Sequence, residues 1–277
     1  MGKLEEMEYL YDKDFIGIQP LKEWKVTSDN YRSIGDCNRV IGCPSAVKIS
    51  IHGIDNEIIF KNVIFNGKLD VKIVGSHNRI LIENGCELNG NSVIFVNGNK
   101  HNIYIGNNTK FTDVRISCFI ENSRLIINEH ATFMKNVCFV LHKDDIIEID
   151  SDCLVSFDVV FQVGDGHSIF DIHTGKNINC GVQREENGIQ YSNSIQLERH
   201  VWVGRRSIIL GGNTIIREGS IVGAGAFVKG QYNYNNVIIA GVPAKIKKKD
   251  VAWSRKDFSE SISDCGECIN FSEEFLG

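Results

Sequence analysis

Three histidines of this 277-residue chain stand where a regular pattern breaks or resumes: His167, His173 and His200. An imidazole with a pKa near about 6.5 can take a proton from a hydroxyl at neutral pH, so each is a candidate general base. His167 lies in GDGHSIFDIHTG, six residues past Phe161 and directly before an irregular stretch. It is the preferred candidate; the bland alternative is a corner histidine bonded to backbone. Asp165 and Asp171 flank it and are candidates to orient its ring, although Asp is also a common turn residue. His200 precedes Trp202 in HVWVG, and Trp202 offers an aromatic wall. Lys245, Lys247, Lys248 and Lys249 form a compact basic cluster that suits an anion or is simply a solvated face. Cys265 and Cys268 form a lone CxxC in an acidic tail, too weak a signal for zinc or redox work.

The element that must position these groups is legible from Leu197 to Val228. Apolar residues recur every six positions at Leu197, Val203 and Ile209, then at Ile216, Val222 and Val228. The one seven-residue step spans Gly211-Gly212-Asn213. A period of six fits neither a helix nor simple strand alternation. It fits a solenoid of short parallel strands joined by tight turns.

The same organisation starts at about residue 48 with a longer period. Ile59, Ile82, Ile105, Ile127 and Ile149 are spaced by 23, 23, 22 and 22 residues. Six residues on from each come Phe65, Leu88, Phe111, Phe133 and Val155; six further come Val71, Ile94, Ser117, Phe139 and Phe161. Only Ser117 is not apolar, and its neighbour Ile116 points to a local slip. Each turn is therefore three sides plus a polar corner such as GSHNR, GNKHN, IENSR or LHKDD. Asn66, Asn84, Asn89, Asn107 and Asn128 are read as structural corner residues. Ile172, 23 after Ile149, is a candidate start for a further turn.

The expected boundaries are a non-repeating cap at 1–47, a coil at 48–230 with a loop insert at 173–194, and a C-terminal loop and tail at 231–277. Leu4, Met7, Leu10 and Tyr11 have the spacing of a short amphipathic helix in that cap. A long excursion from a rigid coil is usually functional. Apolar and charged fractions of 42% and 23% are ordinary for a soluble protein, and a net charge of −5 argues against nucleic acid. No apolar run reaches the roughly 18 residues that cross a bilayer, and the N-terminus shows no signal peptide. Nine cysteines without an export signal read as reduced thiols.

HVWVG, the Gly-rich hexads, SIVGAGAFV and AGVPAK together resemble the hexapeptide-repeat acyltransferases. DGHSIFDIHTGKNIN is similar to a segment of the capsule and lipopolysaccharide sugar O-acetyltransferases among them. The likeness is strong over about 164–255 and structural over 48–163. It implies an all-β, left-handed parallel β-helix, a hexapeptide-repeat solenoid; the handedness comes from the resemblance, since parallel crossovers are generally right-handed. It further implies acetyl transfer from acetyl-CoA to a sugar hydroxyl of a bacterial surface glycan, with His167 as base and direct transfer. Trp202 is then a catalytic-site and donor-channel residue. Gly204, Arg205, Gly223, Ala224, Gly225 and Lys245 fall to coenzyme A, the small residues leaving room for pantetheine and the cations meeting phosphate. Lys229, displaced by one from the family pattern, is in doubt for that role. A homotrimer with sites between subunits is implied, with Trp202 of one chain facing His167 of the next. A cytoplasmic location with at most peripheral membrane association is expected. No metal is expected: the related γ-type carbonic anhydrases bind zinc through three histidines, and the spacing here does not match. The rivals are an N-acetyltransferase on an amino sugar or nucleotide sugar, and a non-catalytic glycan-binding β-solenoid.

Overall fold

Residues 25–28, 31–179, 184–186, 189–191 and 193–256 are described by a computed structural model of the chain. The expected N-terminal helix and the Cys265–Cys268 pair lie outside these residues. Among the described residues every regular element is a strand. No helix among them is long and apolar enough to cross a membrane.

The chain winds as a three-sided parallel solenoid. One face is a nine-stranded sheet running from Arg39–Ile41 through Glu57–Phe60, Arg79–Ile82, Asn102–Ile105 and onward to Gln231–Tyr232. The other two faces belong to one continuous bent sheet, because the long strands Ile64–Val74 and Glu87–Asn99 turn a corner without breaking. Every second residue points inward, as the pleat requires: Arg79–Ile82 and Ile146–Ile149 are both buried only at alternate positions.

Inward residues stack in files. On the first face the file is Phe60, Ile82, Ile105, Ile127, Ile149, Leu197 and Ile216, each buried and each registered on the next. Phe60 stands where Ile59 was expected; Ile59 pairs with Leu81 on the outside. On the third face Ile116 pairs with Ile94 and Phe139, so the slip at Ser117 is real. A one-residue shift moves a strand's whole inward set to the other side, so register is fixed by which residue reaches the core. Phe139 stacks on Phe161 at 5.0 Å and meets Phe133 edge-on at 5.5 Å.

The coil begins earlier than residue 48. Tyr31–Ile34 pairs in parallel with Val47–His52, and Arg39–Ile41 with Glu57–Phe60. It also runs past residue 230, since Ile238–Ala240 is still parallel to Ile221–Val222. Both open ends are covered alike. Lys25–Ser28 folds back antiparallel on Tyr31–Ile34, and Lys245–Lys248 on Ile238–Ala240, which satisfies edge groups that would otherwise template association.

Where the third face turns into the first, a buried polar ladder climbs the coil. Asn56 Nδ2 donates to Asn38 Oδ1, and Asn78 Nδ2 to Asn56 Oδ1, both at 2.9 Å. His101 N donates to Asn78 Oδ1, and the His101 ring meets Ser123 Oγ at 2.7 Å. Asn66–Asn89 and Asn128–Asp150 pairs at 3.0 Å do the same at other corners, the structural role expected for corner asparagines. At one place on the ladder corner the coil opens. The chain leaves after Val160–Gln162 and the next strand of the first face is Ser194–Leu197. Ile172 starts no new turn; it is 89% exposed on the excursion, which departs at about residue 164. The excursion contains a short antiparallel pair, Arg184–Glu186 with Ile189–Tyr191.

Candidate functional site

The neck of this excursion holds His167. The third face ends at buried Val163, and Gly164 follows because nothing larger fits: a Cβ there would lie 2.4 Å from His142 Nδ1. Gly166 then takes φ +75°, turning the chain outward and leaving His167 exposed. The His167 ring makes no hydrogen bond with the described residues. Its backbone is fixed instead. Asn179 Nδ2 donates to His167 O at 2.7 Å and to Asp165 Oδ2 at 3.0 Å, while Asn179 Oδ1 accepts from Ile169 N at 2.6 Å. One amide thus ties the outgoing and returning strands of the neck.

Asp171 does not orient His167. It closes a turn, accepting from His173 N at 3.0 Å, Thr174 N at 2.7 Å and Thr174 Oγ1 at 2.9 Å, and those bonds to the Thr174 backbone and hydroxyl hold its pKa low. His173 sits exposed on that turn.

Beneath the neck lie residues that the sequence analysis assigned only to a polar corner. His142 stacks on Phe119 at 5.4 Å, and its Nδ1 is buried without a hydrogen bond, 4.0 Å from Asp145 Oδ2. Burial lowers the His142 pKa; the Asp165 carboxylate opposes this and His167 adds to it. Asp145, its side chain 1% exposed, accepts from His142 N at 2.6 Å and from Asn193 Nδ2 at 3.0 Å. Burial pushes Asp145 up to about 6 despite these bonds. Asn193 also donates to Val163 O at 3.1 Å and accepts from Gly212 N at 2.8 Å, so it closes the coil after the excursion. The resulting pocket is lined by Ile120, His142, Lys143, Asp165, His167 and Ser168.

The other candidates gather at a different corner. Trp202 stands 38% exposed on the second face, registered between Leu154 and Ile221. Trp253 tilts against it at 5.9 Å and stacks on His200 at 4.0 Å. The Trp253 indole N–H donates to His200 O at 2.9 Å, and His200 Nδ1 lies 2.5 Å from Asp152 Oδ2. Burial would raise the Asp152 pKa, but its bonds to His200 and Arg255 outweigh it and lower it. Arg255 donates to Asp152 Oδ1 at 2.6 Å, Thr132 Oγ1 at 3.1 Å and Cys153 O at 3.0 Å. His200 therefore packs, fastening the segment at 251–256 across the coil as a strap behind Trp202.

Gly204, Arg205, Gly223, Ala224 and Gly225 line the turns between the second and third faces, and Lys245 is exposed at the start of the strand that folds back there. The space at Gly204 is not vacant. A Cβ would meet Val222 O at 2.6 Å, and one on Gly223 would meet Ala240 Cβ at 2.9 Å. Gly204 and Gly223 thus let successive coils approach one another, while a Cβ on Gly225 would meet nothing within 4 Å. The Arg205 guanidinium lies 5.7 Å over Phe157 and 3.8 Å from Asp158. A full side of the prism, about six residues or roughly 20 Å of strand, separates this corner from His167. One chain alone does not bring them together. Among the described residues no group of three or more His, Cys, Asp or Glu is placed to hold a metal.

The fold and site define a parallel β-solenoid whose long excursion after residue 163 presents an exposed histidine at a corner. No family model matches the chain. A stretch of 151 residues is 30% identical to a polysialic acid O-acetyltransferase of Escherichia coli O1:K1 / APEC, covering 54% of this chain and 45% of that protein. The chain thus spans less than half the length of that relative. Over 215 residues it is 25% identical to a polysialic acid O-acetyltransferase of Neisseria meningitidis, covering 78% of this chain and 93% of the relative. The crystal structure of the polySia specific acetyltransferase NeuO superposes with a TM-score of 0.64 at 27% identity, over 80% of this chain and 88% of the other. The fold class is the left-handed parallel β-helix, as the resemblance implied, and the likeness to the hexapeptide-repeat acyltransferases holds.

Proposed function

We propose that this chain transfers an acetyl group from acetyl-CoA to a hydroxyl of a bacterial capsular glycan, polysialic acid being the first acceptor to test. The observation that carries the reading is His167: an exposed imidazole, free of hydrogen bonds to the described residues, on a neck held rigid by Asn179. A sugar hydroxyl is a weak nucleophile until its proton is removed as it attacks. In the proposed reaction the imidazole accepts that proton while the hydroxyl oxygen bonds to the thioester carbonyl carbon. The carbon–sulfur bond then breaks, the coenzyme A thiolate leaves, and the imidazolium returns the proton to it. Backbone N–H groups are the natural stabilisers of the oxyanion formed between these steps.

Trp202 supplies an aromatic wall for the donor or acceptor. Arg205 and Lys245 meet the phosphates of coenzyme A, and the turns at Gly204 and Gly223–Gly225 carry backbone amides for its pantetheine carbonyls. Since His167 and this donor corner lie a prism side apart in one chain, the complete site is proposed to form between chains, in a homotrimer where Trp202 of one faces His167 of the next.

The test is acetyl transfer from acetyl-CoA to polysialic acid and other capsular oligosaccharides. His167→Ala is expected to lower turnover by about 10²–10⁴ with the fold intact, and Lys245→Ala to weaken acetyl-CoA binding. A folded His167→Ala protein with near-normal turnover would overturn the mechanism.

A further inference from the structure

At the corner that leads to His167, successive turns open on the same residue type. Gly35, Gly53, Gly75 and Gly98 take φ of +105°, +148°, +140° and +146°. The next turn opens on Ile120, at φ +73°. A β-branched residue in this region is a genuine outlier, because its Cβ crowds the backbone. The rest of that turn is ordinary and well bonded: Asn122 Nδ2 donates to Asp144 Oδ1 at 2.6 Å, and Glu121 pairs with Lys143 at 3.0 Å. Nor does the core repay the strain, since Ile120 is 50% exposed. Ile120 instead lines the pocket that holds His142, Lys143 and His167. Strain of this kind collects where a ligand is held.

We propose that Ile120 is a specificity-determining residue of the acceptor subsite, an apolar wall against which the C–H face of a pyranose ring packs while its hydroxyl meets His167. The inference rests on the acetyl-transfer reading above. A sugar ring has one face of C–H groups and a rim of hydroxyls. An apolar wall beside a general base therefore orients the rim toward the base without hydrogen bonds of its own.

The test compares Ile120→Gly and Ile120→Val with wild type in acetyl transfer to a capsular oligosaccharide, with light scattering and thermal unfolding alongside. Glycine is what the preceding turns use, so Ile120→Gly is expected to fold with an unchanged or higher Tm. Its acceptor KM is expected to rise about tenfold, as for the loss of a buried aliphatic contact. Its kcat and its KM for acetyl-CoA should stay within about twofold, and Ile120→Val should keep the acceptor KM within about threefold. An unchanged acceptor KM in Ile120→Gly would overturn the inference. So would a fall in Tm, which would make the residue structural, or a smaller oligomer, which would make it a subunit contact. Wild-type protein that transfers acetyl to no glycan removes the parent reading itself; transfer by wild type with an indifferent Ile120→Gly removes only the inference.

Discussion

Asp145 is the residue whose replacement tests the floor of the site most sharply. Its ordinary carboxyl pKa of 3.8 is pushed to about 6 by burial. The proton therefore favours the folded state. Asp145 costs little below about pH 4, and its destabilising effect grows as pH rises and is complete once pH passes about 6. The gap between the two values corresponds to about 3 kcal/mol at neutral pH and about 1 kcal/mol at pH 4.5. Asp145→Asn removes this ionisation altogether. The amide still accepts one bond through its oxygen, but it cannot accept from both His142 N and Asn193 Nδ2. Losing one acceptor costs about 1–2 kcal/mol at any pH. The variant is thus expected to be more stable than wild type by about 1–2 kcal/mol at pH 7.5 and equal or less stable at pH 4.5. Urea unfolding of both proteins across this range checks it, the difference between them changing by about 2 kcal/mol. A difference that stays flat from pH 4.5 to 7.5 would refute the reasoning, because it would mean that Asp145 titrates alike in the folded and unfolded chain.

Two predictions concern the scaffold. Phe139→Ala removes a fully buried ring stacked on Phe161 and edge-on to Phe133; a cost of about 3–5 kcal/mol is expected in denaturant unfolding, and a loss under about 1 kcal/mol would mean that the aromatic file is loosely packed. Arg255→Ala cuts the bonds that fasten the strap to Asp152, Thr132 and Cys153; tryptophan emission is expected to shift to the red and iodide quenching to increase as Trp253 leaves His200, while unchanged emission would mean that the stacking with His200 holds the strap unaided.

The solenoid was legible because its period is set by geometry. Three sides and a corner need nearly the same number of residues each time, so Ile82, Ile105 and Ile127 announce one another. The slip at Ser117 was legible for the same reason: Ile116 lay one step away. The register at Ile59 was not, since both Ile59 and Phe60 are apolar and only packing decides that Phe60 turns inward. The first turn escaped the pattern because it is shorter. Arg39 registers on Glu57, 18 residues on, where the next turns, as far as Ile149, take 22 or 23. A template built on the longer period cannot find it.

The candidate site divides along similar lines. His167 could be singled out from its position alone, at the point where a repeating chain stops repeating. His142 and Asp145 could not, because HKDD reads as one more polar corner until the next turn is laid on top of it. Only then does Gly164 press on the imidazole and the carboxylate come to lie under a neck instead of in water. One trace of this was present: Asp145 occupies the place on the ladder that Asn56, Asn78 and Ser123 hold in earlier turns. A neutral residue satisfies that place at no electrostatic cost. A carboxylate there is costly, and it stands at the turn directly beneath the one where the coil opens. The coincidence of the two, a charged member in an otherwise neutral ladder and a glycine neck above it, ties the excursion to this corner and makes the floor of the His167 pocket a part of the scaffold that only the stacked turns reveal.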